Sequence, residues 1–307
     1  MKIAVIGAGG VGAPFGMAMA LGGHEVTFVA RGAHLRAMRE EGLRVQGPLG
    51  DFHLPETRAT DDPGTIGPVD AVIFCVKLWD VESAGEAIRP LIGANTFVVP
   101  IQNGIDAPDR LMPILGKEHV MGGVALIGGL IERPGLVRQN GRMRKIIFGE
   151  LDGARSPRAE ALLAACGGAG MDAELSTDIR RSLWEKMVFL VALSNLTAIT
   201  RQPLGVVRAD PDLRALLLDA ARETAAVGRA AGVNLADDLP EARLAYMDTQ
   251  PETTMASMAN DLLRGNRLEL PWLAGKVVEL GRAYGVDTPV NRTIYAALKP
   301  YVNGAPR

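Results

Sequence analysis

The sequence begins with a short apolar segment that runs directly into closely spaced glycines. Residues 3–6 predict a buried strand, Gly7-x-Gly9-x-x-Gly12 follows, and an apolar helical pattern continues to Leu21. A strand, a tight glycine turn and a helix in this order bring free backbone N–H groups and the positive end of the helix dipole to one point. The pattern therefore predicts a dinucleotide-binding turn. The alternative interpretation is a glycine-rich loop in an α/β core.

Each glycine of this turn has its own expected role. Gly7 permits the sharp change of direction, Gly9 lets the backbone approach the phosphates, and Gly12 lets the helix pack closely on its strand. Gly10 and Val11 lie between them in the same loop. We therefore expect all five residues to line the cofactor site.

Length and composition restrict the classes of protein that remain. The 307 residues allow two domains, each with its own core. A net charge of −2, with 48% hydrophobic and 22% charged residues, indicates no surface for nucleic acid or for an anionic membrane. The two cysteines match neither a disulfide framework nor a metal site. Cys75 lies in an apolar segment, which predicts a position in the hydrophobic core. We expect a cytoplasmic protein without a metal.

Two apolar segments resemble membrane or export signals only superficially. The glycine turn interrupts the N-terminal apolar segment, so it lacks the continuous core of a signal peptide. Residues 187–199 are too few to span a bilayer and include Ser194, Asn195 and Thr197. Neither segment is expected to enter a membrane.

Strand and helix patterns alternate through the first half of the chain and then give way to helices. This alternation predicts an α/β fold, with an N-terminal Rossmann-type, doubly wound and mostly parallel sheet over residues 1–175. An all-helical C-terminal domain over residues 176–307 is expected to bind substrate and form a homodimer, in part through an apolar face of the helix at 211–231. The predicted strands are 3–6, 26–30, 43–46, 52–54, 71–76, 96–100, 120–126, 136–139 and 146–149. The predicted helices are 32–41, 80–91, 105–115, 178–200, 211–231, 238–246, 254–264, 271–284 and 289–301.

The residue after the second strand bears on the choice of nucleotide. An acidic residue there binds the ribose 2′-OH of NAD, whereas an arginine accommodates the 2′-phosphate of NADP. Here the strand ends on Arg31, and the next acidic residue is Glu40. The alternative is a solvated surface arginine. The sequence favours NADP(H).

Besides the glycine turn and Arg31, the chain contains four further motifs: Val76-Lys77, Gln102-Asn103-Gly104, Trp184-Glu185-Lys186 and the pair Ser257 and Glu269. With these motifs, the chain resembles the ketopantoate reductase (2-dehydropantoate 2-reductase) family over nearly its whole length. The resemblance implies NADPH-dependent reduction of a 2-oxo acid, with ketopantoate the first expectation and pantothenate biosynthesis the setting.

The resemblance also assigns roles to individual residues. Lys186 is implied to be the general acid, and burial is expected to lower its pKa toward neutrality. Glu269 is implied to bind the hydroxyl and carbonyl region of the substrate, and Ser257 its carboxylate. Asn103 is implied to lie beside the nicotinamide ribose and the substrate, and Lys77 near the adenosine phosphate. Without the resemblance, each would be an ordinary surface, turn or helix residue.

The chain departs from the family pattern at several polar positions. The family has asparagines four and eight residues after the catalytic lysine, where this chain has Leu190 and Ser194. Asn195 comes one residue later, about 100° around the helix from that stripe. A third family asparagine is replaced by Thr254. Ser194 is still a candidate substrate contact, but the loss of polar groups favours a substrate with an apolar portion.

Other interpretations remain open at this level. The 3-hydroxyacid, glycerol-3-phosphate and opine dehydrogenases also combine a nucleotide domain with a helical one, and a fold alone does not define a function. A non-catalytic NADPH-binding sensor would keep the glycine turn and Arg31 but would not need Lys186 and Glu269. A small-molecule 2-oxo acid is the expected partner.

Overall fold

The computed structural model describes residues 1–305, which contain ten β-strands and twelve α-helices. The strands are β1 Lys2–Ile6, β2 Glu25–Val29, β3 Leu43–Gly47, β4 Gly50–Leu54, β5 Ala59–Thr60, β6 Ala71–Phe74, β7 Phe97–Pro100, β8 Gly122–Arg133, β9 Leu136–Gly149 and β10 Asp172–Leu175. The helices are α1 Gly12–Leu21, α2 Gly32–Glu40, α3 Val81–Ala87, α4 Ala107–Leu115, α5 Pro157–Gly168, α6 Ile179–Thr200, α7 Leu204–Ala209, α8 Pro211–Ala230, α9 Leu239–Asp248, α10 Ser257–Leu263, α11 Ala274–Tyr284 and α12 Pro289–Leu298. The chain divides into two compact units, Met1–Ile179 and Arg180–Arg307.

A parallel five-stranded sheet forms the centre of the first unit. Its order is β5-β2-β1-β6-β7, and every neighbouring pair is parallel. The strand order reverses between β1 and β6, and open α/β sheets bind ligands at the carboxyl ends of the strands where this reversal occurs. The glycine turn leaves β1 at that end of the sheet. The predicted Rossmann-type topology is confirmed.

A second, mixed sheet also belongs to the first unit, and the prediction of a single doubly wound sheet did not anticipate it. Its order is β10-β9-β3-β4, with β8 paired to β9 along a long antiparallel hairpin. The two predicted strands at 136–139 and 146–149 are therefore one continuous strand, β9. The sequence patterns also missed β10 and the preceding helix α5, both of which lie between residues 150 and 176.

The two cysteines differ in their surroundings. Cys166 is buried, whereas Cys75 is half-buried and packs against the core beside the glycine turn. The predicted core position of Cys75 is therefore only partly met, because its side chain packs against the core but is not fully buried. Burial raises the pKa of the Cys75 thiol above its ordinary value. The thiol is accordingly protonated and unreactive at neutral pH.

Helices make up the second unit. The predicted helix at 211–231 corresponds to α8, and its buried face packs within its own unit against α9, α11 and α12. That face is therefore not available to support the predicted homodimer, which stays a prediction. The sequence patterns did not predict the short helix α7. The predicted helix at 254–264 is longer than α10, the helix that the structure has there.

Helix α6 is long and apolar enough to cross a membrane by length and composition alone. Core helices of water-soluble proteins meet the same criterion. Of its most apolar eighteen-residue window, 67% is buried inside the protein. Burial among the other helices accounts for this apolar composition.

Candidate active site

Close packing within the turn and against Cys75, the residue after β6, explains why two glycines of the turn cannot carry side chains. Gly7 has a φ of +95°, and a Cβ atom there would lie 3.0 Å from the carbonyl oxygen of Cys75. A Cβ atom on Gly12 would collide with the Gly7 carbonyl and lie 3.2 Å from Cys75 Sγ. The predicted roles of these two glycines, a sharp turn and close helix packing, agree with this geometry.

The other residues of the turn differ in what surrounds them. A Cβ atom on Gly9 would meet nothing within 4 Å, whereas one on Gly10 would collide with the Gly129 carbonyl of β8. Within residues 1–305, the amides of Gly9, Gly10 and Val11 donate to no protein acceptor. Open space beside Gly9 and three amides that lack acceptors fit the pyrophosphate of a dinucleotide.

Arg31 lies where the sequence predicted it, at the end of β2. It is exposed, has extended backbone angles and is the residue immediately before α2. Its carbonyl accepts a hydrogen bond from Leu35 N, which fixes the start of the helix. Arg31 is thus exposed to solvent after the carboxyl end of β2, the strand that pairs with β1.

The remaining candidates of the first unit follow the carboxyl ends of β6 and β7. Lys77 is exposed, and its ammonium lies 5.5 Å from the centre of the Trp79 ring. Asn103 is half-buried three residues after β7. The neighbouring Gln102 is only 7% exposed, and neither polar atom of its side chain has a partner within residues 1–305. Sequence analysis quoted Gln102 in a motif but gave it no role.

Lys186 and Glu269 act on each other within the second unit. Lys186 lies in the second turn of α6, and Glu269 is 5% exposed just before a short 3-10 helix, Leu270–Trp272. Burial of the Lys186 ammonium lowers the pKa of Lys186 to about 8, while the negative charge of Glu269 acts in the opposite direction. The predicted direction of this shift is confirmed. A lysine with this pKa can both give up and regain a proton near neutral pH.

The stripe of α6 that continues from Lys186 becomes fully buried two turns later, at Ser194. Leu190 is half-buried, and Ser194 is fully buried, with a hydroxyl that has no partner within residues 1–305. Asn195 points elsewhere, as its rotation from the stripe predicted. Its Nδ2 donates to Asn291 Oδ1 over 2.8 Å in the helical core. Asn195 is therefore a packing residue, and it does not replace the missing asparagines.

Ser257 and Thr254 lie around the start of α10. Ser257 is exposed at the first residue of this helix. Thr254 is half-buried, and its backbone carbonyl accepts a hydrogen bond from Leu204 N. The backbone of Thr254 thus anchors α7.

Two features beside these candidates were missed by sequence analysis. His34 donates from Nε2 to the carbonyl of Ala8, inside the glycine turn. Phe189, one turn after Lys186, packs edge to face against Tyr246 of α9 with 5.4 Å between ring centres. A histidine or an aromatic residue in a helix carries no sequence signal for such a contact, because the partner comes from a distant segment.

A parallel sheet with a dinucleotide turn, followed by a helical unit with a half-buried lysine and a buried carboxylate, defines the class of two-domain oxidoreductases. Residues 3–153 match ketopantoate reductase PanE/ApbA, and residues 178–302 match the C-terminal domain of the same family. The chain belongs to the ketopantoate reductase family.

Individual relatives agree with this assignment. The chain is 31% identical to a 2-dehydropantoate 2-reductase of Halobacterium salinarum, with 96% of each chain covered. A PanE/ApbA family ketopantoate reductase structure from Ralstonia eutropha is 33% identical, covers 98% of each chain and superposes with a TM-score of 0.90. A D-mandelate dehydrogenase structure has a TM-score of 0.90 over 98% of each chain but only 23% identity, so it shares the fold.

Proposed function

We propose that this protein reduces a 2-oxo acid to a 2-hydroxy acid with NADPH, and that ketopantoate is its first candidate substrate. The observation that carries the proposal is the buried Lys186 ammonium, with a pKa lowered to about 8, in the field of the Glu269 carboxylate. Family membership supplies the reaction class. Reduction of ketopantoate would give pantoate for pantothenate synthesis.

The residues of the chain have separate tasks in this reaction. NADPH, held by the amides of the glycine turn, would supply hydride to the keto carbon of the substrate. The carbonyl oxygen then gains negative charge and requires a proton, which Lys186 donates. Glu269 keeps the ammonium protonated against the effect of burial. Glu269 and Ser257 would orient the substrate, as the family pattern implies.

Arg31 supports NADPH over NADH as the cofactor. It is exposed at the end of β2, where an acidic residue would bind a free ribose 2′-OH. Replacing Arg31 by alanine should weaken NADPH binding about tenfold or more, because a charge-assisted contact to the 2′-phosphate is lost. NADH affinity should change little. Equal losses for both cofactors in a fluorescence titration would show that Arg31 does not contact the 2′-phosphate.

A bulkier, more apolar 2-oxo acid is the second candidate substrate. Leu190 and Phe189 lie one turn beyond Lys186, and residues at these spacings share a helix face. The ring of Phe189 packs against the ring of Tyr246, so this helix face is partly aromatic. The D-mandelate dehydrogenase that shares the fold has been solved with NADH and anilino(oxo)acetate, an oxoacetate that carries an aromatic ring.

The deciding experiment measures NADPH oxidation by the purified protein with ketopantoate, 2-oxoisovalerate and phenylglyoxylate. The highest kcat/KM with ketopantoate would support the first candidate, and the highest with phenylglyoxylate the second. In the second case, Leu190→Asn should shift the preference toward ketopantoate, because it returns a polar group to the stripe. NADPH binding without turnover of any 2-oxo acid would favour the sensor interpretation and overturn the proposal.

A further inference from the structure

A single imidazole connects the glycine turn to a distant hairpin. His34, in the first turn of α2, lies 2.8 Å through Nε2 from the carbonyl oxygen of Ala8. Its other ring nitrogen, Nδ1, accepts a hydrogen bond from Gly135 N over 3.1 Å. Gly135 is the left-handed glycine, φ +77°, in the turn between β8 and β9.

These two contacts determine the state of the ring. Because Gly135 N–H must donate to Nδ1, that nitrogen carries no proton, and the single proton of neutral imidazole resides on Nε2. Burial lowers the pKa of His34, and the hydrogen bond to Ala8 acts in the opposite direction. The neutral ring with the proton on Nε2 is therefore the form that makes both bonds.

The bond to Ala8 has a consequence for the next amide. A trans peptide is planar, so its C=O and the following N–H point in opposite directions. Because the Ala8 carbonyl is held toward His34, the N–H of Gly9 must point away from the imidazole, and it donates to no protein acceptor within residues 1–305. The next peptide is fixed independently, since Gly9 O accepts from Ala13 N over 3.0 Å.

The hairpin meets the same loop at a second point. Side chains at Gly10 and Gly129 would each collide with the carbonyl of the other, so the two backbones pack directly together. The loop is thus held on one side by backbone packing and on the other by the His34 hydrogen bond. Of these two, only the hydrogen bond sets the direction of the Gly9 amide.

We propose that His34 is a positioning residue for the cofactor: its Nε2–H holds the Ala8–Gly9 peptide in the orientation that aims the Gly9 N–H at the dinucleotide pyrophosphate. This inference rests on the proposed NADPH site. It adds a residue that contacts neither the cofactor nor the substrate and acts through the backbone of the turn.

Substitution of His34 by glutamine or by asparagine tests its two hydrogen bonds one at a time. In His34→Gln, the side-chain NH2 can replace Nε2–H as donor to Ala8. In His34→Asn, the shorter side chain can accept from Gly135 but does not reach Ala8. His34→Asn should weaken NADPH binding about tenfold, the loss expected for one misdirected bond to a charged group, whereas His34→Gln should remain within about threefold of wild type.

The ligand 2′-AMP provides the matched control, because it retains the 2′-phosphate and adenosine but has no pyrophosphate. Calorimetric titration of both variants should give nearly wild-type affinity for 2′-AMP, and kcat at saturating NADPH should be largely retained. Equal NADPH affinity in the two variants, or a parallel loss of 2′-AMP binding in His34→Asn, would overturn the inference alone. Failure of the wild-type protein to bind NADPH would overturn the proposed function, and the inference with it.

Discussion

The glycine turn of the first unit and the Lys186–Glu269 pair of the second are built by opposite means. The turn is assembled from consecutive residues, and its binding groups are backbone amides that any sequence would possess once the chain adopts this shape. The pair is assembled from side chains on separate elements, and its chemistry depends on how deeply the ammonium is buried. A backbone site fails when its shape changes, whereas a side-chain site fails when one group is removed.

Removal of the Lys186 side chain should have the largest effect. Lys186→Ala is expected to lower kcat by about 100-fold or more, the range found for the loss of a general acid. NADPH affinity should stay near wild type, because the turn that would bind it consists of backbone amides. The exposed Lys299 provides a control, since Lys299→Ala should leave kcat unchanged. Near-normal turnover by Lys186→Ala in the NADPH oxidation assay would disprove its role as the acid.

The pH dependence of reduction should reveal the titration of the same lysine. Its pKa is lowered to about 8, so the ammonium is protonated below this pH and loses its proton above it. Because reduction requires the protonated form, kcat should fall about tenfold per pH unit above pH 8. The guanidinium in Lys186→Arg cannot lose its proton in this range, so kcat of that variant should not fall above pH 8. A wild-type kcat that stays constant up to pH 10 would contradict the assignment.

Alanine substitutions at two neighbouring glycines of the turn should have different effects, one on NADPH binding and the other on stability. Gly9→Ala places a methyl group in open space, so the free energy of unfolding should hardly change while NADPH binding weakens about tenfold from the lost close approach. Gly10→Ala collides with Gly129 and should cost about 1–3 kcal/mol of stability, as overpacking does. Urea denaturation and NADPH titration of both variants give the comparison. Equal destabilisation by the two alanines would be the contrary result.

The smallest effect is expected at Ser194, and its neighbour in α6, Asn195, provides the contrast. The Ser194 hydroxyl is buried and has no partner within residues 1–305, so Ser194→Ala should leave stability unchanged or raise it by about 1 kcal/mol. Asn195→Ala should destabilise by about 1–3 kcal/mol, because Asn291 Oδ1 loses its donor. If Ser194 contacts substrate, Ser194→Ala will also raise KM. A marked loss of stability in Ser194→Ala would contradict its unpaired state.

Local sequence patterns predicted the parts of the fold whose interactions are local. The glycine turn and the parallel sheet follow from apolar periodicity and glycine positions, and both were found. The start of α6 follows from Asp178, a residue type that commonly caps helix N-termini, and the helix begins at Ile179. The second sheet was not predicted as such, because β9 receives partners from β3, β8 and β10, which are scattered along the chain. The role of Asn195 was partly predictable, since helix geometry places it off the Lys186 stripe, but its partner Asn291 was not.

The sequence by itself determined the dinucleotide turn, because that turn depends on residue type at short spacings. It also determined the family, through motifs spread along the chain, and the resemblance to that family made Lys186 a candidate acid. Only the tertiary structure decided how strongly burial perturbs the pKa of Lys186, that the enclosed Ser194 hydroxyl has no partner among residues 1–305, and that His34 reaches the carbonyl of Ala8. The physical reason is the same in all three cases. Desolvation and hydrogen-bond direction depend on atoms from distant segments, whose positions are settled only when the whole chain packs.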